Sequence, residues 1–214
     1  MSRDRVSPPA AVVLVAGLLL VLLGCATGGA REGHRADPST HPDARSVDTG
    51  AARRAGPPDP ERPVSVRLPS GIWVPVAAAG VGNGGVLGVP EDVDRAGWWR
   101  GGARLGDPFG ATLIAGHVDS TDQGLGAFAE LLGVRPGQQV RVRSKHLEQV
   151  FTIRSRRLVP GRELRDVPQV FSVRGERRLT LVTCAPPYEP SRGGYQNLAV
   201  VTATPVGDAE RRRR

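Results

Sequence analysis

From Val64 onward the chain is cut into short stretches in which apolar and polar residues alternate, each bounded by glycine, proline or another turn former. A period of two puts every second side chain on one face of an extended strand, whereas helix faces repeat every 3.6 residues. Val64-Ser-Val-Arg-Leu68 and Gln139-Val-Arg-Val-Arg143 carry the pattern, and Gly71-Ile-Trp-Val-Pro-Val76 is a further strand candidate. Phe151-Thr-Ile-Arg154 alternates again, so it forms a hairpin with Gln139–Arg143 through a turn near Ser144–Leu147. Ala111–Gly116 reads as a small buried strand, and Arg178–Cys184 and Leu198–Ala203 as the last two. Gly82-Asn-Gly-Gly85 is a turn signal between apolar flanks. The best helix candidate is Ala127–Leu132, stopped by Gly133. With 28 glycines, 19 prolines and only 4% aromatic residues, turns are favoured over long helices. About eight short strands and one small helix predict a mainly antiparallel β-barrel or sandwich.

The N-terminus addresses the chain. Arg3 and Arg5 precede the apolar run Ala10–Leu23, a charged n-region followed by an h-region, which marks export. The run is shorter than the roughly 20 residues a membrane-spanning helix needs. Leu22-Leu23-Gly24-Cys25 follows at its end and resembles a bacterial lipobox, which implies cleavage before Cys25 and lipid attachment to its thiol. A lipoprotein and an uncleaved signal anchor are therefore both open for residues 1–25, and either leaves the remainder on the extracytoplasmic face of the cell membrane. Residues 26–63 are rich in Gly, Pro, Ala, Asp and Arg with no apolar period, and read as a flexible linker. Residues 64–207 form the folded domain, and 208–214 a basic tail ending in Arg211–Arg214. Those roughly 145 domain residues suffice for one core.

The formal charge of +8 is almost all arginine, Lys145 being the only lysine. No aromatic residues interleave with the arginines and no zinc-finger or RNA-binding signature is present, which argues against a nucleic-acid partner. A basic surface suits an anionic envelope.

Two cysteines, Cys25 and Cys184, are the sharpest chemical clue. With Cys25 lipidated, Cys184 is a lone thiol in an exported protein, an unusual usage that suggests a reactive group. The competing readings are a buried structural cysteine, or a Cys25–Cys184 disulfide that would pin the linker to the domain. Cys184 ends a predicted strand, before Ala185-Pro-Pro-Tyr188, a segment expected to break regular pairing. An ordinary thiol is only about 3% thiolate at neutral pH, so catalysis needs a helping neighbour. His117, at the end of the strand Leu113–Gly116, is that candidate; His34 and His41 fall in the linker and His146 in a hairpin turn. The alternative for His117 is a structural or surface histidine. No metal-ligand set and no phosphate-cradling loop is evident, and no cofactor is expected.

Thr180-Leu-Val-Thr-Cys184 resembles the Thr-Leu-x-Thr-Cys signature of sortases, and Thr112-Leu-Ile-Ala-Gly-His-Val-Asp-Ser120 resembles the histidine segment of class F sortases. Gly88-Val-Pro-Glu-Asp92, Gly97-Trp-Trp99 with Gly101-Gly102, and Arg135-Pro-Gly137 are similar too, in the family's order from about Val64 to Val206. The resemblance implies a mainly β, eight-stranded sortase-type barrel with short helices, acting as a cysteine transpeptidase. Such an enzyme cuts an LPXTG-like sorting signal between Thr and Gly and joins the exported protein to a cell-envelope amine. Cys184 would attack the threonine carbonyl to give a thioacyl enzyme, and His117 would protonate the departing glycine amine and then assist the incoming one. Thr183 would shape the substrate site beside the nucleophile, and Asp119 would orient the loop. The family also uses an arginine that supports the oxyanion. Where class F members often read Tyr-Arg-x-Asn, this chain reads Tyr195-Gln196-Asn197-Leu198, so Gln196 occupies the expected position and Arg192 is the nearest substitute. That departure raises a second possibility, a catalytically weak or inactive module that binds sorting signals or envelope partners.

Overall fold

The computed structural model describes residues 56–82, 87–161 and 167–212. The export segment with Cys25, most of the linker, most of the Gly82–Gly85 turn and the last two arginines lie outside the described residues. In chain order the strands are β1 Ser65–Arg67, β2 Trp73–Ala79, β3 Ala96–Trp99, β4 Ala111–Gly116, β5 Asp119–Ser120, β6 Gly124–Leu125, β7 Gln139–Arg143, β8 Leu147–Pro160, β9 Arg178–Glu189, β10 Gly194–Pro205 and β11 Glu210–Arg211. One sheet runs β10-β9-β4-β3-β2-β1-β7-β8, and β8 pairs back onto β10. These eight strands close into a barrel, which leaves no long free edge. Strand β11 attaches to the start of β8 at Leu147 and Glu148.

Closure follows from alternation. Val66, Val74, Trp98, Ile114, Val142, Phe151, Ile153, Leu179, Leu181 and Val201 point inward and form one core. Each large apolar side chain buried there contributes roughly 1.5–3 kcal/mol. The segment expected to be helical, Ala127–Leu132, is a 3₁₀ helix ending at Gly133, and it sets Phe128 and Leu131 into the same core. A second apolar cluster lies on the other face of β4, β8, β9 and β10, where Leu113, Val159, Val182 and Val200 are covered by Val170 of α1 (Pro168–Phe171). That short helix carries proline in its first turn, a favoured position that the strand-centred reading passed over.

Three strands run further than their sequence pattern indicates. β9 was expected to end at Cys184 but continues to Glu189. The prolines do interrupt the ladder: Ala185 faces Asn197 and Tyr188 faces Tyr195, so Pro186 and Pro187 stand against Gln196 alone. This two-against-one bulge lets pairing resume beyond residues that lack an N–H, and the Asn197 side chain donates to the Pro186 carbonyl at 2.7 Å. β8 extends through Pro160 because it pairs with β10 from Asn197↔Pro160 to Pro205↔Phe151, and β10 starts as early as Gly194 because it pairs there with Glu189 of β9. Nor is the sheet wholly antiparallel: β2–β3 and β4–β9 are parallel.

Residues 58–63, read from composition as the end of the linker, lie against the barrel. Glu61 bridges to Leu105, and Pro63 is buried. The Glu61 carboxylate accepts from the Ser144 hydroxyl at 2.6 Å and the His146 backbone N–H at 2.8 Å, and meets the His146 ring at 2.7 Å. Burial works against its charge, but these partners outweigh it and draw the pKa from 4.5 to about 2. A carboxylate depressed on folding stabilises fully above its unfolded value and loses that contribution as pH falls through its folded one. We therefore expect stability to decline between about pH 4.5 and 2 through this group, by roughly 1–2 kcal/mol once solvent screening is allowed for. Denaturant titrations across that range should show the decline in the native chain and a flatter profile in Glu61→Gln.

Candidate active site

The parallel pairing of β4 with β9 assembles the site. Its ladder runs from Ala111↔Arg178 to Ala115↔Val182. Two residues beyond the last pair come His117, just past the end of β4, and Cys184, still within β9. Two steps along a strand preserve the face, so Cys184 follows Val182 onto the outside of the barrel, and His117 lines the same groove. The site thus sits on the outer surface, where the ends of two neighbouring strands lie side by side. His117 and Cys184 are both half-buried.

Gly116 lets the end of β4 sit directly on the core. A Cβ at that position would lie 2.5 Å from the Phe128 ring, which is fully buried beneath the strand. Gly116→Ala is expected to cost about 1–3 kcal/mol, the usual penalty of overpacking, and to displace His117 next to it. Thermal denaturation together with the alkylation rate of Cys184 would register both effects.

His117, Val118, Asp119, Ser120 and Thr121 form one wall of an open groove, and Cys184, Tyr188, Gly193, Gly194 and Tyr195 the other, around about 690 Å³. Burial, and after it the Asp119 carboxylate, push the Cys184 thiol above its ordinary value. Thiolate thus forms only as pH rises, and at neutral pH the sulfur needs a proton acceptor to attack. The imidazole on the facing wall suits that role and can return the proton to a departing group, the chemistry of nucleophilic acyl transfer.

The other residues singled out in the sequence are placed differently. Thr183 points the opposite way from Cys184, is 2% exposed, and has no hydrogen-bond partner for its hydroxyl oxygen. It lies in the barrel wall and does not line the groove. Arg192 is exposed in a short 3₁₀ turn, Pro190–Arg192, where its guanidinium donates to Glu189 at 3.1 Å. The Gln196 amide donates to the Gly194 carbonyl at 2.6 Å. Neither of these two polar heads is among the groove-lining groups. Sequence reasoning missed Tyr188 and Tyr195, whose rings pack edge to face at 5.0 Å, and the bond from the Tyr195 hydroxyl to Asp119. Tyr195 was legible only as the start of a motif, read for the position after it. Among the described residues no group of three or more His, Cys, Asp or Glu side chains converges as a metal-ligand set would.

Comparison with known proteins agrees with this architecture. The family model described as the Sortase domain matches residues 71–206. Sortase A of Listeria monocytogenes superposes with a TM-score of 0.52 at 17% identity, over 73% of this chain and 93% of that one. The SrtA sortase of Actinomyces oris gives 0.52 at 19% identity, covering 74% and 90%. Sortase C-1 from Actinomyces oris gives 0.52 at 19% identity, covering 70% and 76%. At these identities the superpositions establish the barrel alone. No curated protein sequence matches the chain.

Proposed function

The chain belongs to the sortase family, and from that premise we propose that it is a class F cysteine transpeptidase acting on the extracytoplasmic face of the membrane. In this reading Cys184 attacks the Thr–Gly carbonyl of an LPXTG-like sorting signal while His117 accepts the thiol proton. Collapse of the tetrahedral adduct breaks the C–N bond, His117 protonates the glycine amine that leaves, and a thioacyl enzyme remains. A cell-envelope amine then attacks that carbonyl, gives its proton to His117, and the C–S bond breaks to regenerate the thiol. The N-terminal segment would hold the domain at the membrane, by a lipid on Cys25 or as an uncleaved anchor. The observation that carries the proposal is a half-buried thiol and an imidazole lining one open groove from the ends of adjacent parallel strands.

The test is mass spectrometry of the full chain incubated with an LPXTG peptide, with and without an amine acceptor. A peptide-derived adduct on Cys184, and an acceptor-dependent joined product, are expected. If the native chain yields no more joined or hydrolysed product than Cys184→Ala, transpeptidation of this motif is abandoned. Product that ignores the acceptor would point instead to a thiol hydrolase.

A second reading is favoured by one specific observation. Arg192 is paired with Glu189, and Gln196 is engaged with its own loop, so neither faces the reacting centre. Loss of one oxyanion donor typically costs about 10²–10³ in rate, enough to leave a weak enzyme whose main role is to bind sorting signals. Peptide binding without turnover, retained in Cys184→Ala, is the signature of that role.

A further inference from the structure

A hydrogen bond spans the groove. Asp119 follows His117 by two residues and pairs with Leu125 in the β5–β6 hairpin, whereas Tyr195 belongs to β10 and faces Tyr188 of β9. The Tyr195 hydroxyl donates to Asp119 Oδ2 at 2.5 Å. Its ring is held edge-on by Tyr188 at 68°, which limits where the hydroxyl can point. Asp119 is exposed, and an exposed carboxylate with no such partner turns freely into water. The bond therefore settles where one negative charge sits.

That charge has a clear target. The titratable groups on the groove walls are His117, Asp119, Cys184, Tyr188 and Tyr195. The nearby Glu189 and Arg192 pair with each other and largely cancel. Among the described residues Asp119 is the one carboxylate lining the groove with the sulfur. We propose that Tyr195 and Asp119 are a positioning pair for the Cys184 nucleophile, the phenol fixing the carboxylate so that it governs how readily the sulfur reacts. The carboxylate in turn holds the phenol protonated, raising its pKa to about 12, so Tyr195 stays a donor at every physiological pH. Its field acts on Cys184 in the same sense as burial, against the thiolate. The inference deepens the reading of this groove as the reaction site and rests on it.

The experiment measures the sulfur directly and needs no peptide. In the full-length chain, the rate of iodoacetamide alkylation is followed against pH by mass spectrometry of the Cys184 peptide, so Cys25 does not contribute. Asp119→Asn should lower the midpoint of the profile and speed alkylation at pH 7 severalfold, since removing a nearby negative charge favours the thiolate. Tyr195→Phe should shift the midpoint in the same direction by less. The double variant should match Asp119→Asn alone, because the phenol acts only through the carboxylate. Thermal melting accompanies each variant to show that the barrel is intact. Unchanged midpoints in both single variants would overturn the proposal, as would a Tyr195→Phe shift that adds in full to that of Asp119→Asn. Absence of joined product with the expected alkylation shifts would count against the transpeptidase reading and leave the pair standing.

Discussion

Cys184→Ala is expected to reduce joined and hydrolysed product to the uncatalysed level while the protein stays folded. The reaction proposed for this groove passes through a covalent bond to sulfur, and a methyl group offers no electron pair. The same substitution is cheap for the fold. Cys184 is half-buried on the outside of the barrel, so trading its thiol for hydrogen forfeits about 1 kcal/mol or less of apolar burial. Its backbone pairing with Leu198 is unaffected. Product formation and the thermal midpoint, measured together, separate chemistry from stability. Product at the native level from Cys184→Ala would remove the thiol from any mechanism.

His117→Ala is expected to slow product formation by about 10²–10⁴, the usual range for losing a positioned acid–base group. The upper part of that range is favoured because two steps suffer. Burial and the Asp119 carboxylate disfavour the thiolate, so without the imidazole few sulfurs are ready to attack at neutral pH. The adduct must then expel an amine, and an amine that leaves unprotonated departs as a very strong base. Raising the pH should restore part of the first step, since the thiolate then forms unaided, but none of the second. The expected pattern is a rate for His117→Ala that climbs with pH yet stays well below native. A variant within tenfold of native at pH 7 would show that the imidazole is a bystander.

Val66, Val142, Phe151 and Leu181 announced themselves by alternation, a local property needing no knowledge of the partner strand. The helical segment ending at Gly133 and the turn before Leu147 were likewise carried by neighbouring residues. Cys184 and His117 stood out as rare, reactive side chains at predicted strand ends. The continuation of β9 past two prolines was not legible, because it depends on β10 resuming the pairing beyond the bulge they make in β9. The inward face of Thr183 follows from alternation once the strand is oriented, yet which face looks into the barrel is decided only by closure.

By itself, then, the sequence determined the class of fold, the family and the two side chains on which the proposed chemistry rests, since periodicity, motif and residue chemistry are written in consecutive residues. Only the tertiary structure decided that β4 and β9 run parallel, that His117 and Cys184 line one groove on the outer face, and that Tyr195 reaches Asp119 across it. Strand direction and register are settled by how the barrel closes, through contacts between residues far apart in the chain, and no local pattern encodes them.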